Sequence, residues 1–127
     1  MTPPRPRRGF TLIEMLVVLS IVALLLTLAT PRYFGSLEKS REVALRENLR
    51  VMRVTIDKFY GDKGRYPDAL QELVEAGYLR EVPMDPVTES VSSWVAVPPK
   101  QSDQQGVADV RSGAPGQSRD GIAFASF

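Results

Sequence analysis

The chain has no cysteine and no histidine. Without thiols there is no disulfide to staple a small fold, and no thiolate to act as nucleophile or soft metal ligand. Without imidazole, the usual general base near neutral pH and the commonest transition-metal ligand are missing too. Conventional catalytic triads and zinc centres are therefore excluded. The C-terminal half also lacks a basic patch. From Gly61 onward, 10 acidic residues stand against 6 basic ones, which is the reverse of a nucleic-acid footprint. At 127 residues there is room for one small domain and an anchor, and a domain of that size buries only a modest core.

What the chain does have is concentrated at its start. Arg5, Arg7 and Arg8 precede the first long apolar run, and the formal charge of the whole is +1. Removing residues 1–9 leaves 13 bases against 15 acids, so the balance becomes −2. Phe10 to Thr30 is almost wholly apolar, about the 20 residues needed to cross a bilayer core. The Arg cluster places the N-terminus on the cytoplasmic side, with everything after Pro31 on the far side. A secretory signal would have a shorter apolar stretch and a small-residue cleavage site beyond it; neither is present, so the segment is expected to remain as an anchor. Glu14 interrupts the run four residues after Phe10. A carboxylate at the bilayer centre costs about 2.5–3.5 kcal/mol on insertion scales. Two readings stand: Glu14 snorkels at the interfacial edge, or it meets a positive partner buried beside it.

Beyond Pro31 the pattern is that of an amphipathic helix. Leu45, Leu49, Met52, Ile56 and Phe59 recur every three or four residues, and Leu37 and Ala44 extend the same face. Glu42 with Arg46 and Glu47 with Arg50 are spaced for ion pairs along the helix. Gly61 and Gly64 end it. Such a stripe suits either a coiled-coil partner or the chain's own sheet, and the short heptad with a domain following favours the sheet. Asp68 to Ala76 reads as a short helix with Asp68 as N-cap, Gln71 three residues on and Gly77 at its C-terminal end. Its buried face is Leu70, Leu73 and Val74. Asp85-Pro86 opens a turn. Ser93 to Val97, Val107 to Val110 and Ile122 to Phe127 read as strands of a small antiparallel sheet, with Ser112 to Asp120 as a loop. Trp94 fits a core or subunit contact.

Arg8-Gly9-Phe10-Thr11-Leu12-Ile13-Glu14-Met15-Leu16 closely resembles the prepilin leader and cleavage motif of type IV pilins and type II secretion pseudopilins. Lys63-Gly64-Arg65-Tyr66-Pro67, Gly77-Tyr78-Leu79 and Val82-Pro83-Met84-Asp85-Pro86 are similar to the G-type (major) pseudopilin in particular. The resemblance implies cleavage between Gly9 and Phe10 by a prepilin peptidase, then N-methylation of Phe10. It also implies that Glu14 pairs with the N-terminal amine of a neighbouring subunit. Calcium binding is a family property as well. The matching loop offers Asp120, the hydroxyls of Ser112 and Ser118 and carbonyls around Val110 and Gly113, with Asp109 as a further carboxylate unless, as a strand residue, it faces solvent. However, Gly113-Ala114-Pro115 stands where the family carries Gly-Ala-Asp, and a closed metal-free loop is the alternative.

The fold expected is α+β and pilin-like: a long, partly transmembrane N-terminal helix on a small domain with a short helix and an antiparallel sheet. Its divisions are a leader (1–9), a transmembrane and polymerisation helix (10–30), an amphipathic continuation (31–60) and a periplasmic globular region (61–127). The function implied is that of a non-enzymatic subunit of a type II secretion pseudopilus. It would sit single-pass in the inner membrane and polymerise with other pseudopilins to support protein export. Its partners would be the prepilin peptidase, an assembly platform and ATPase, and membrane lipid, with no nucleic acid. A true type IV pilus subunit is the alternative, against which the missing Cys pair counts. From another class, a bitopic enzyme or binding module would require a deep pocket of clustered ionisable groups.

Overall fold

A computed structural model describes residues 1–127. Helix α1 runs from Leu12 to Lys63, α2 from Leu70 to Glu75, and two short strands, β1 (Val95–Val97) and β2 (Asp109–Arg111), pair antiparallel. A 3-10 turn covers Phe124–Ser126. The chain divides into two compact units, Met1–Leu37 and Glu38–Phe127. Long helix, short helix and two-stranded sheet make this the pilin-like α+β class that the sequence suggests.

In the first unit the helix passes through Pro31 without a break. Proline supplies no N–H to the carbonyl four residues earlier, a loss that membrane-type helices tolerate. The hydroxyls of Ser20, Thr27 and Thr30 each donate back to the carbonyl four residues earlier, at 2.6–2.8 Å. Between Glu14 and Pro31 no side-chain hydroxyl is left needing water.

The second unit is built on the expected stripe. Leu45, Leu49, Met52, Ile56 and Phe59 are 0–1% exposed, and they pack with Leu73 of α2, with Val110 of β2 and with Val107 just before that strand. That settles the stripe as the domain's own core. Leu37 and Ala44 do not extend it; both are exposed. Gly61 does not end the helix, which runs on to Lys63; Gly64 follows at φ 70°, where a side chain would be strained.

Several local expectations are corrected. Asp68 does not cap α2. Ala69 holds the N-cap position, while the Asp68 N–H donates to the Glu72 carboxylate at 2.6 Å. Gly77 does close the helix, at φ 81°, with its own N–H and that of Tyr78 turned back on Val74 and Leu73. Glu47 and Arg50 pair at 2.7 Å, but Glu42 and Arg46 do not. The Arg46 guanidinium lies 4.5 Å from the Phe127 ring centre, and Glu42 accepts the Arg119 N–H at 2.7 Å.

Val107 is buried but outside the strand, because its N–H is committed to the Pro67 carbonyl at 2.7 Å. Ile122 to Phe127 is not a strand either. A strand would put Phe124 and Phe127 on opposite faces. The 3-10 turn instead brings their rings to 5.5 Å edge to face. Trp94 packs against the core and donates its indole N–H to Pro83 at 2.7 Å.

Candidate functional site

The residues with the strongest chemical signal lie where α1 begins. Residues 1–11 carry no regular structure and the helix starts at Leu12. Gly9 has open space around its Cα, and Phe10 is 78% exposed. The Gly9–Phe10 peptide therefore sits in accessible backbone without regular structure, just ahead of a helix end. A protease can use such a segment, because it must lay the scissile strand out flat.

Thr11 and Glu14 hold the helix end between them. The Glu14 N–H donates to Thr11 Oγ1 at 3.1 Å, and the Thr11 N–H points back at Glu14 Oε2 at a long 3.5 Å. The Met15 N–H donates to the Thr11 carbonyl at 3.1 Å. This is a capping box: an N-cap threonine and an acid three residues into the helix, each serving donors that the helix cannot satisfy itself. The carboxylate also complements the positive end of the helix dipole. The spacing of Thr11 to Glu14 fits a cap, but inside an apolar run only the helix boundary at Leu12 identifies it as one. The arrangement turns the Glu14 carboxylate back toward the residue next to Phe10.

In the second unit, two polar centres hold the C-terminal loops. Arg53 donates from Nε to Asp109 Oδ1 at 2.8 Å, and from Nη2 to the carbonyls of Val110 and Phe127 at 3.0 and 2.6 Å. Asp85 is fully buried. Its Oδ1 accepts the N–H groups of Val87 and Thr88, and its Oδ2 accepts the Ser112 hydroxyl at 2.6 Å. A buried carboxylate needs such satisfaction.

Comparison with known proteins places these features in a family. Residues 4–30 match the model of the prokaryotic N-terminal methylation motif. The type II secretion system core protein G of Klebsiella pneumoniae is 33% identical over 96 aligned residues, covering 63% of this chain and 69% of that protein. The chain belongs to this core protein G family. Its Escherichia coli K12 member is 30% identical over 96 residues, covering 63% of this chain and 66% of the relative. The type IV major pilin PilA of Myxococcus xanthus is 32% identical over 66 residues, which is 52% of this chain but 30% of PilA. No solved structure matches.

Family membership raises the question of calcium, and the side chains present do not fit it. Calcium takes six to eight oxygen ligands. Asp109 Oδ1 accepts both the Arg53 Nε–H and the Val110 N–H, at 2.8 and 2.7 Å. The Ser112 hydroxyl is given to Asp85 and also accepts the Ala114 N–H. Asp120 is exposed, and no three acidic residues gather where they could hold an ion. Hydrogen bonds close the loop instead: the Ser118 N–H to Ile122 and the Phe124 N–H to Gly116, at 2.7 and 3.2 Å. In this pseudopilin Arg53 engages Asp109 Oδ1 and the Val110 carbonyl, and Asp85 engages the Ser112 hydroxyl.

Proposed function

We propose that this pseudopilin is a structural subunit of a type II secretion pseudopilus, cut between Gly9 and Phe10 by a prepilin peptidase and methylated on the new Phe10 amine. Residues 10–30 anchor it in the inner membrane, residues 31–60 continue the helix, and residues 61–127 form the periplasmic region. Extraction of the helix into a filament with other pseudopilins then supports protein export, with the platform protein and ATPase of the system as partners. The observation that carries the reading is the exposed Gly9–Phe10 peptide immediately before a helix of membrane-crossing length, whose 18-residue core has a mean hydropathy of 2.7 and is 0% buried.

Cleavage at that bond removes three arginines and creates an amine one residue before Thr11. In a low-dielectric filament core that amine and a neighbouring Glu14 attract strongly, although desolvation offsets much of the gain. Glu14 thus guides axial register more than it adds net stability. Intact mass and N-terminal sequencing of membrane-extracted protein, with and without the peptidase, test the processing. A chain starting at methylated Phe10 only with the enzyme supports it; one still starting at Met1 defeats it. For assembly, Glu14→Ala is expected to insert in the membrane yet fail to polymerise, and normal filaments from that variant would remove Glu14 from the docking role.

Similarity to PilA favours one second reading, a subunit of a true type IV pilus. Loss of secretion without loss of surface pili, on deletion of this chain, separates the two.

A further inference from the structure

The apolar part of α1 ends abruptly. Between Glu14 and Arg32 there is no charged residue, and the three hydroxyls in that stretch are satisfied by the helix's own carbonyls. Directly after Pro31 come Arg32, Tyr33 and Phe34. Tyr33 and Phe34 are 67% and 57% exposed, with ring centres 5.8 Å apart and planes at 71°. An exposed aromatic pair beside a cation is a poor surface to leave in bulk water, but it suits the headgroup layer of a membrane. There an aromatic ring is half buried among acyl carbonyls and a guanidinium reaches phosphate.

Length makes the same point. Glu14 and Phe34 are twenty residues apart, so at 1.5 Å per residue they stand about 30 Å apart along the helix. The hydrocarbon core is also about 30 Å thick. With the aromatic pair in one headgroup layer, Glu14 falls in the other, and the Gly9–Phe10 peptide lies beyond it on the water side. Registers a turn away in either direction bring a charged group into hydrocarbon: Arg32 if the helix slides one way, Glu14 if it slides the other.

We propose that Arg32, Tyr33 and Phe34 form an interfacial lipid-binding collar that fixes the depth of α1 in the bilayer. The collar holds Glu14 and the processing site at the opposite headgroup layer. The proposal rests on reading residues 10–30 as a membrane span. It adds which residues set the register and what they bind: phospholipid headgroups. It also gives Glu14 two environments, hydrated at the interface before assembly and buried afterwards.

Depth-dependent tryptophan quenching tests this on the uncleaved full chain. The probes Y33W, F34W and V22W are placed singly in a W94F background. Each is reconstituted in phosphatidylethanolamine–phosphatidylglycerol vesicles containing lipids brominated at shallow or deep acyl positions. V22W is expected to be quenched most by deep bromines, and Y33W and F34W most by shallow ones, with emission between the water and hydrocarbon limits. Deep quenching of V22W with water-like, unquenched Y33W and F34W would overturn the collar while leaving the span intact. Failure to quench V22W would overturn the span itself. Emission of Y33W that follows the protein-to-lipid ratio, not bromine depth, would reassign the pair to contact between subunits and defeat the lipid proposal. As a second readout, Y33S/F34S in the same vesicles is expected to slow cleavage at Gly9–Phe10 severalfold on addition of the peptidase. An unchanged rate would show that the pair does not set the register.

Discussion

One helix, α1, passes through two regimes. From Leu12 to Leu28 every large apolar side chain is at least 42% exposed, whereas the stripe from Leu45 to Phe59 is 0–1% exposed. The residue types are alike, and the difference lies in what else the chain supplies. After Lys63, α2, β2 and the C-terminal turn provide the apolar partners for one face. For residues 12–28 the chain provides none, and the run is apolar all round. A helix apolar on every side belongs in hydrocarbon or among other helices; a helix apolar on one side belongs against a domain.

Two matched truncations break that comparison most directly. Leu49→Ala removes a fully packed side chain and is expected to cost the folded domain about 2–5 kcal/mol. Leu19→Ala, the same change on the same helix, is expected to leave the domain's unfolding midpoint unchanged, because Leu19 is 63% exposed and takes no part in the domain's core. Chemical denaturation in detergent, followed through the near-ultraviolet signal of Trp94, measures both. Similar losses at the two positions would show that the exposed run is coupled to the domain's core.

Two glycines sharpen the picture inside the second unit. A Cβ on Gly113 would lie 2.0 Å from the Ser93 carbonyl oxygen, whereas one on Gly61, within α1, meets nothing within 4 Å. Gly113→Ala must push backbone against backbone, and overpacking of this kind typically costs about 1–3 kcal/mol. Gly61→Ala is expected to stabilise by about 0.5–1 kcal/mol, since alanine loses less freedom in a helix. Thermal melts of the pair are expected to move in opposite directions. A stable Gly113→Ala variant would mean that the loop after β2 has room that the geometry denies it.

A comparable effect is expected at Asp85. Ser112→Ala removes one hydrogen bond to a buried carboxylate and the acceptor of the Ala114 N–H, and bonds to charged groups are worth about 1.5–3 kcal/mol. The same argument predicts that EDTA leaves the melting temperature unchanged, and that added calcium does not rescue Ser112→Ala. A calcium-dependent rise would return Asp120 and its neighbouring carbonyls to the metal.

The sequence carried the periodic features well. The stripe from Leu45 to Phe59, the stop at Gly64 and the Gly77 cap rest on local physics: helical spacing and the need for a left-handed residue. What it carried poorly depends on partners far along the chain. Val107 looks like strand until Pro67, forty residues earlier, claims its N–H. Arg46 looks paired with Glu42 until Phe127 comes to lie beneath it. Phe124 and Phe127 look like strand residues until both must reach one side. At the helix start the processing motif was readable as a resemblance, whereas the Thr11–Glu14 capping box needed the helix boundary to be known to the residue.

The smallest predicted effect concerns pH and again separates exposed from buried chemistry. The Arg65 guanidinium donates to Glu72 from both terminal nitrogens, at 2.5 and 3.3 Å, and the Asp68 N–H adds a third bond. Arg65 first, and that N–H second, hold the Glu72 carboxyl below its ordinary value. A carboxyl whose folded-state pKa is lowered binds protons less readily folded than unfolded. Its contribution is therefore fully present above the unfolded value of about 4.3, and is lost as the pH falls through the folded one. Glu72→Gln is expected to flatten the acid limb of the stability curve below about pH 4.3 and to change neutral-pH stability little, because the pair is partly exposed and solvent-screened. Melting temperatures taken from neutral pH downward compare the two chains. If both lose stability along the same acid limb, the acid sensitivity belongs to another carboxylate.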